Sequence, residues 1–169
     1  MMMKRRTFSL LAVAALVAGC MQTQEVDSNV ASTLFVQEVV ATTSVTRKNT
    51  ALPKQQILNT VEAKSLAVLQ AANPKGYRPV KVNVNIDNFY IANPGAGALL
   101  GSTMSTVHTT VEVVDLETNS TIKDGLSVIG STEARPTIFG AAAIQEAAKE
   151  VDIIASDLAQ NLKIAIYGE

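Results

Sequence analysis

The chain has 169 residues, 14 Lys plus Arg against 15 Asp plus Glu, and a formal net charge of −1. No run of five basic residues occurs, so the clustered phosphate contacts of a nucleic-acid binder are not provided. Tryptophan is absent and aromatics make up 4%, so no stacking platform for bases or sugars is signalled. The single cysteine leaves no partner for an intramolecular disulfide.

The first segment has three parts. Lys4, Arg5 and Arg6 form a basic start, Phe8 to Ala18 is apolar apart from Ser9, and Ala18-Gly19 are small. This is the build of a secretory signal. The apolar run is about half of the roughly 20 residues a membrane-spanning helix needs. The run closes on Val17-Ala18-Gly19-Cys20. An aliphatic residue, two small residues and a cysteine in that setting resemble the lipobox of bacterial lipoproteins. The resemblance implies cleavage between Gly19 and Cys20, diacylglycerol on the Cys20 sulfur and a further acyl chain on the new amino group. Two or three chains on one residue make a stable anchor, because each buried methylene contributes about 0.8 kcal/mol. The competing reading is a plain secreted protein with one free thiol. Met21 follows the cysteine. Lipoproteins of this kind that stay in the inner membrane carry aspartate there, so the resemblance implies the periplasmic face of the outer membrane ahead of the inner membrane.

Cleavage would leave 150 residues, with 11 basic side chains against 15 acidic ones. That length suits one domain. Residues 20–32 are polar without apolar periodicity. They read as the lipidated cysteine followed by a flexible tether, with an end-to-end distance of about 20 Å. The domain would span 33–169.

Thr33 to Arg47 is rich in β-branched residues and reads as a strand, with a bulge or an early edge allowed where alternation fails at Gln37 and Glu38. Pro53 sits where a helix can begin. From Lys54 to Ala72, positions Ile57, Leu58, Val61, Ser65, Val68, Leu69 and Ala72 make one helical stripe. Asn73-Pro74-Lys75-Gly76 ends it. Val80, Val82, Val84 and Ile86 alternate with Lys81, Asn83, Asn85 and Asp87, the pattern of a strand with one wet face. Phe89-Tyr90-Ile91 extends it.

A glycine-rich loop follows from Ala92 to Ser102. Met104 to Leu116 alternates again, with His108, Thr110 and Glu112 on one side. Asn119 suits the left-handed position of a hairpin turn. Thr121 to Ser131 is a third strand of this meander, interrupted at Asp124-Gly125. The last element is a long amphipathic helix, capped by Thr137 after Pro136 and striped by Ile144, Ala148, Val151, Ala155, Leu158, Leu162 and Ala165. Its alanines suit close approach to a sheet.

The β-α-β-β-β-α order predicts an α+β domain of two layers. One mainly antiparallel four-stranded sheet is covered on one face by two helices. The order resembles small envelope lipoprotein domains of uncharacterised function, and more loosely the amino-terminal domains of periplasmic assembly proteins.

Candidate sites are few. Gly95-Ala96-Gly97-Ala98-Leu99-Leu100-Gly101 has neither phosphate-loop spacing nor a following helix, so it reads as a connecting loop. Leu99 and Leu100 could contact a partner or the bilayer from it. His108 is the only histidine. Zinc needs three or four ligands, and catalytic use needs a nucleophile and an orienting partner. Spacing supplies neither set. Asp115, Glu117 and Asp124 do not have calcium-loop spacing and read as turn carboxylates. Asn119-Ser120-Thr121 matches a glycosylation acceptor by pattern alone. No catalytic, metal or cofactor residue is therefore expected. The expected role is non-enzymatic: an envelope lipoprotein held to the bilayer through acylated Cys20 and docking an envelope protein. The alternative is a carrier domain for a small apolar or lipid molecule.

Overall fold

In the computed structural model, which describes residues 23, 25–95, 103–135 and 142–168, the alternating valines line one face of a four-stranded sheet. The elements are α1 (Ser28–Ala31), β1 (Leu34–Thr43), α2 (Lys54–Ala72), β2 (Arg78–Tyr90), β3 (Thr106–Asp115), β4 (Thr121–Ser131) and α3 (Ala147–Tyr167). The sheet runs β1-β2-β3-β4. The β1–β2 pair is parallel, and the other two pairs are antiparallel. The parallel pair follows from the α2 crossover between them, since a hairpin cannot join parallel neighbours. The α+β class is as expected, with a mixed sheet.

One face of the sheet carries Val36, Val80, Val82, Val84, Val107, Val111, Val113 and Val128, all fully buried. Each such side chain is worth about 1.5–3 kcal/mol when removed from water. α2 packs on β1, α3 packs on β4 and β3, and the helices pack on each other. α2 buries Ile57, Val61, Ser65 and Leu69, a strict four-residue step that presents one narrow stripe. α3 buries a wider set, including Val151, Ile154, Ala155, Leu158, Ala159 and Leu162.

The small side chains of α3 meet Gly130 of β4. A Cβ on Gly130 would collide with the Ile154 carbonyl and with Leu158. Glycine at that one position lets the helix backbone come down onto the strand.

Irregularities fall where alternation breaks. The β1 register shifts between Val36 and Glu38, skipping Gln37. A second shift, at Asp87 in β2, lets Ile86 and Phe89 both turn inward although three residues apart. Asn119 takes φ 53° in the β3–β4 turn and Gly125 takes φ 70° within β4, both left-handed conformations.

Two expectations are corrected. Thr137 lies outside the described residues, and α3 starts only at Ala147, with Glu146 at its N-cap in an extended conformation. The first turn forms there because the Glu146 carbonyl accepts from the Lys149 and Glu150 amides. The tether expected over 20–32 is already bound to the domain from Glu25. The Glu25 amide donates to the Ala165 carbonyl at 2.8 Å, Val26 is buried, and Asp27 caps α1 through the Asn29 and Val30 amides.

Candidate functional site

The face of the sheet away from the helices is open and polar. The register brings Asn83 opposite Glu112 and Asn85 opposite Thr110, and Thr110 opposite Ser127. The Asn83 amide donates to Glu112 at 2.9 Å, and the Thr121 hydroxyl donates to its other oxygen at 2.8 Å. Those two bonds, Asn83 first, hold the Glu112 carboxyl below its ordinary range. The bulge at Asp87 places its carboxylate between neighbours. One oxygen accepts from Asn85 at 2.6 Å and the other from Thr110 at 2.6 Å. The Thr42 hydroxyl reaches Asn85. The result is a row of side chains ordered across the strands.

His108, Thr110 and Glu112 do share this face, as their spacing requires. His108 is exposed, opposite Asn88 and Ile129. Glu112 is engaged by Asn83 and Thr121 instead. Among the described residues, no three His, Cys, Asp or Glu side chains are grouped to hold a metal.

Both sheet edges are partly occupied by helix side chains. Glu62 of α2 accepts from the Ala41 amide of β1 at 2.9 Å. On β4, Asp157 accepts from the Ser131 amide at 2.8 Å and Asn161 donates to the Ile129 carbonyl at 2.8 Å. An added strand needs those same backbone groups. The open face, rather than these parts of the edges, is the uncovered polar surface of the sheet.

Asp115 behaves as the turn carboxylate expected. It accepts from the Thr118 and Glu117 amides and from Arg78. The Thr118 amide and then Arg78 draw its carboxyl down to about 2. It ties the β3–β4 turn to the start of β2.

A buried polar cluster at the opposite end of the sheet was not anticipated. Glu150 has no exposed surface. It pairs with Arg135 at 2.9 Å and accepts from the Ser105 hydroxyl at 2.6 Å and the Gln145 amide at 2.8 Å. Burial alone would raise its carboxyl, but the bonds from Ser105, Arg135 and Gln145 outweigh it and the net direction is down. Ser105 also accepts from the Ala92 amide, while the Thr132 hydroxyl accepts from the Ser105 amide. The cluster fastens the segments after β2, before β3, after β4 and before α3 to one another. Every oxygen of Glu150 is used inside the protein, so the arrangement is a clasp with no free base. One signal existed in the sequence: Glu150 adjoins Val151 and stands one turn before Ile154, so an acidic side chain borders the apolar stripe of α3.

Cys20, Gly19, Leu99 and Leu100 lie outside the described residues. Among the described residues, no helix is long and apolar enough to cross a membrane. An apolar hollow between β1, β2 and α2, lined by Val45, Ile57, Leu58, Ile86 and Phe89, measures about 20 Å³. That is room for about one water; the larger hollows, of about 420 to 710 Å³, lie open at the surface.

No protein-family model matches the chain, and no curated protein matches it. Its structure is similar to that of a candidate lipoprotein from Caulobacter crescentus, at 11% identity and TM-score 0.41 over 83% of this chain and 92% of that one. It is also similar to the PelC dodecamer subunit from Paraburkholderia phytofirmans, at 11% identity and TM-score 0.42 over 80% and 88%. An uncharacterised protein matches at 20% identity and TM-score 0.39 over 78% and 88%. At these scores the likeness carries no argument about function.

Proposed function

We propose that the chain is a bacterial envelope lipoprotein, carried on acylated Cys20, whose α+β domain is a non-enzymatic docking module on the periplasmic face of the outer membrane. The observation that carries the anchor is Val17-Ala18-Gly19-Cys20 closing a basic-then-apolar leader. The docking role is supported by the polar row across Asn83, Asn85, Asp87, Thr110 and Glu112. It is ordered in advance, so a partner meets it with little loss of side-chain freedom. The partner would be an envelope protein offering its own polar surface.

Cys20→Ser tests the anchor. Loss of acyl labelling with uncut precursor is expected, and normal processing with membrane retention would overturn the assignment. For the docking face, a crosslinker on Ser127→Cys, which is exposed on the open sheet face, should yield one discrete adduct in the envelope. The same reagent on Gln160→Cys, exposed on α3, should yield none. Equal labelling from both positions would remove the open face as the docking surface.

A further inference from the structure

The point at which the chain leaves the domain fixes which end lies nearest the anchor. From Glu25 onward the backbone is bound to the last turn of α3 through Ala165, and Val26 is buried. Cys20 is five residues earlier. Five steps of at most about 3.6 Å span no more than about 18 Å. α3 has 21 residues and is therefore about 32 Å long. The end of the domain holding Met104, Arg135 and Glu150, where α3 begins, is thus farther from the anchor than the intervening chain can bridge.

The near end also carries the most exposed large apolar side chain among the described residues, Tyr77, which is 79% exposed. Its amide donates to the Thr33 carbonyl just after α1, so it sits beside the entering chain. Leu116 is exposed at the same end, where its amide donates to the Pro79 carbonyl. Several charges here are tied to one another, while Lys75 and Glu117 stand exposed beside Tyr77 and Leu116. Arg78 pairs with Asp115, Lys123 lies 3.8 Å from Glu25, and Asp27 is used in capping α1. A tyrosine with an apolar ring and a polar tip suits the boundary between headgroups and acyl chains.

We infer that this end of the domain rests in the lipid headgroup layer, with Tyr77 as its principal contact and Leu116 beside it, an inference that rests on the lipoprotein reading above. The open sheet face then stands on the side of an upright domain, accessible to a protein partner.

Because the chain has no tryptophan, Tyr77→Trp is a single reporter in the full acylated protein. It would be reconstituted in vesicles of phosphatidylethanolamine and phosphatidylglycerol, some brominated near the headgroup. Blue-shifted emission quenched by the brominated lipid is expected from Tyr77→Trp and from Leu116→Trp. Met104→Trp, at the far end, should emit as in water and remain unquenched. Flotation with the vesicles while both near-end reporters stay wet would overturn the inference and leave the anchor standing. Quenching of Met104→Trp instead would overturn it by inverting the domain. Failure of the unsubstituted chain to float would remove the lipoprotein reading, and this inference with it.

Discussion

Ser105 and Glu150, forty-five residues apart in sequence, share a buried hydrogen bond of 2.6 Å. The bond joins the start of β3 to the first turn of α3, and Arg135 closes the group from the far side. The cluster sets charge and hydrogen bonds beside the apolar stripe of the helix, where Val151 and Ile154 are buried.

Removing one partner should therefore be costly. Arg135→Ala leaves the Glu150 charge buried without its cation, which is expected to cost about 3–5 kcal/mol. Arg135→Met together with Glu150→Gln should cost less, because the amide remains able to bond Ser105. Urea denaturation midpoints would show the order, and equal losses would contradict it.

Gly130 and Gly125 should respond to alanine for different reasons. At Gly130 a Cβ lies 2.7 Å from the Leu158 Cβ and 2.9 Å from its amide nitrogen, so α3 must lift. Overpacking of this kind costs about 1–3 kcal/mol. At Gly125 nothing lies within 4 Å, but φ is +70°, and the left-handed conformation costs a side chain about 1–2 kcal/mol. Only Gly130→Ala should also disturb α3, visible as faster amide exchange at Ile154 and Leu158.

Ser65 is fully buried in α2, and its hydroxyl has no hydrogen-bond partner. Ser65→Ala removes a desolvated polar group and leaves only a small void. It should match or exceed the parent stability by about 1 kcal/mol, read as a higher denaturation midpoint. A clear loss would show that the hydroxyl is bonded in solution.

Acid should weaken the fold through carboxylates. Asp115 is held at about 2, while Glu112 and Glu150 are also held below their ordinary values. A carboxyl with a depressed folded value binds its proton first in the unfolded chain, so stability is present above about pH 4 and falls as pH drops toward 2. Arg78→Ala raises the Asp115 value and should flatten part of that fall. Denaturation followed across pH 2 to 6 would check the slope.

Freeing the β4 edge should promote self-association. Asp157→Ala with Asn161→Ala uncovers the Ser131 amide and the Ile129 carbonyl, the groups an added strand would use. Sedimentation should show larger species in the double variant than in the parent.

Much of the architecture was legible because it is governed by local periodicity. α2 has the bounds its stripe and flanking prolines imply, and β4 spans the Thr121 to Ser131 expected of the third meander strand. The break in alternation at Gln37 marked the β1 bulge, and Asn119 marked the left-handed turn. The Glu150 cluster was obscured for the opposite reason. Its members come from separate segments of the chain, and no spacing rule joins Ser105, Arg135 and Glu150. The start of α3 was set too early because Ile144 continues the stripe while belonging to the extended segment before the helix.

The amino-acid order alone set the sequence of strands and helices, and which side of each strand is apolar. Those properties depend on neighbours within a few residues. Only the tertiary structure decided that Val26 seats the expected tether against α3, that helix carboxylates cover parts of both sheet edges, and that Tyr77 shares an end with the entering chain. Each of these depends on hydrogen bonds and burial between segments far apart in sequence, which acquire a distance only once the sheet is assembled.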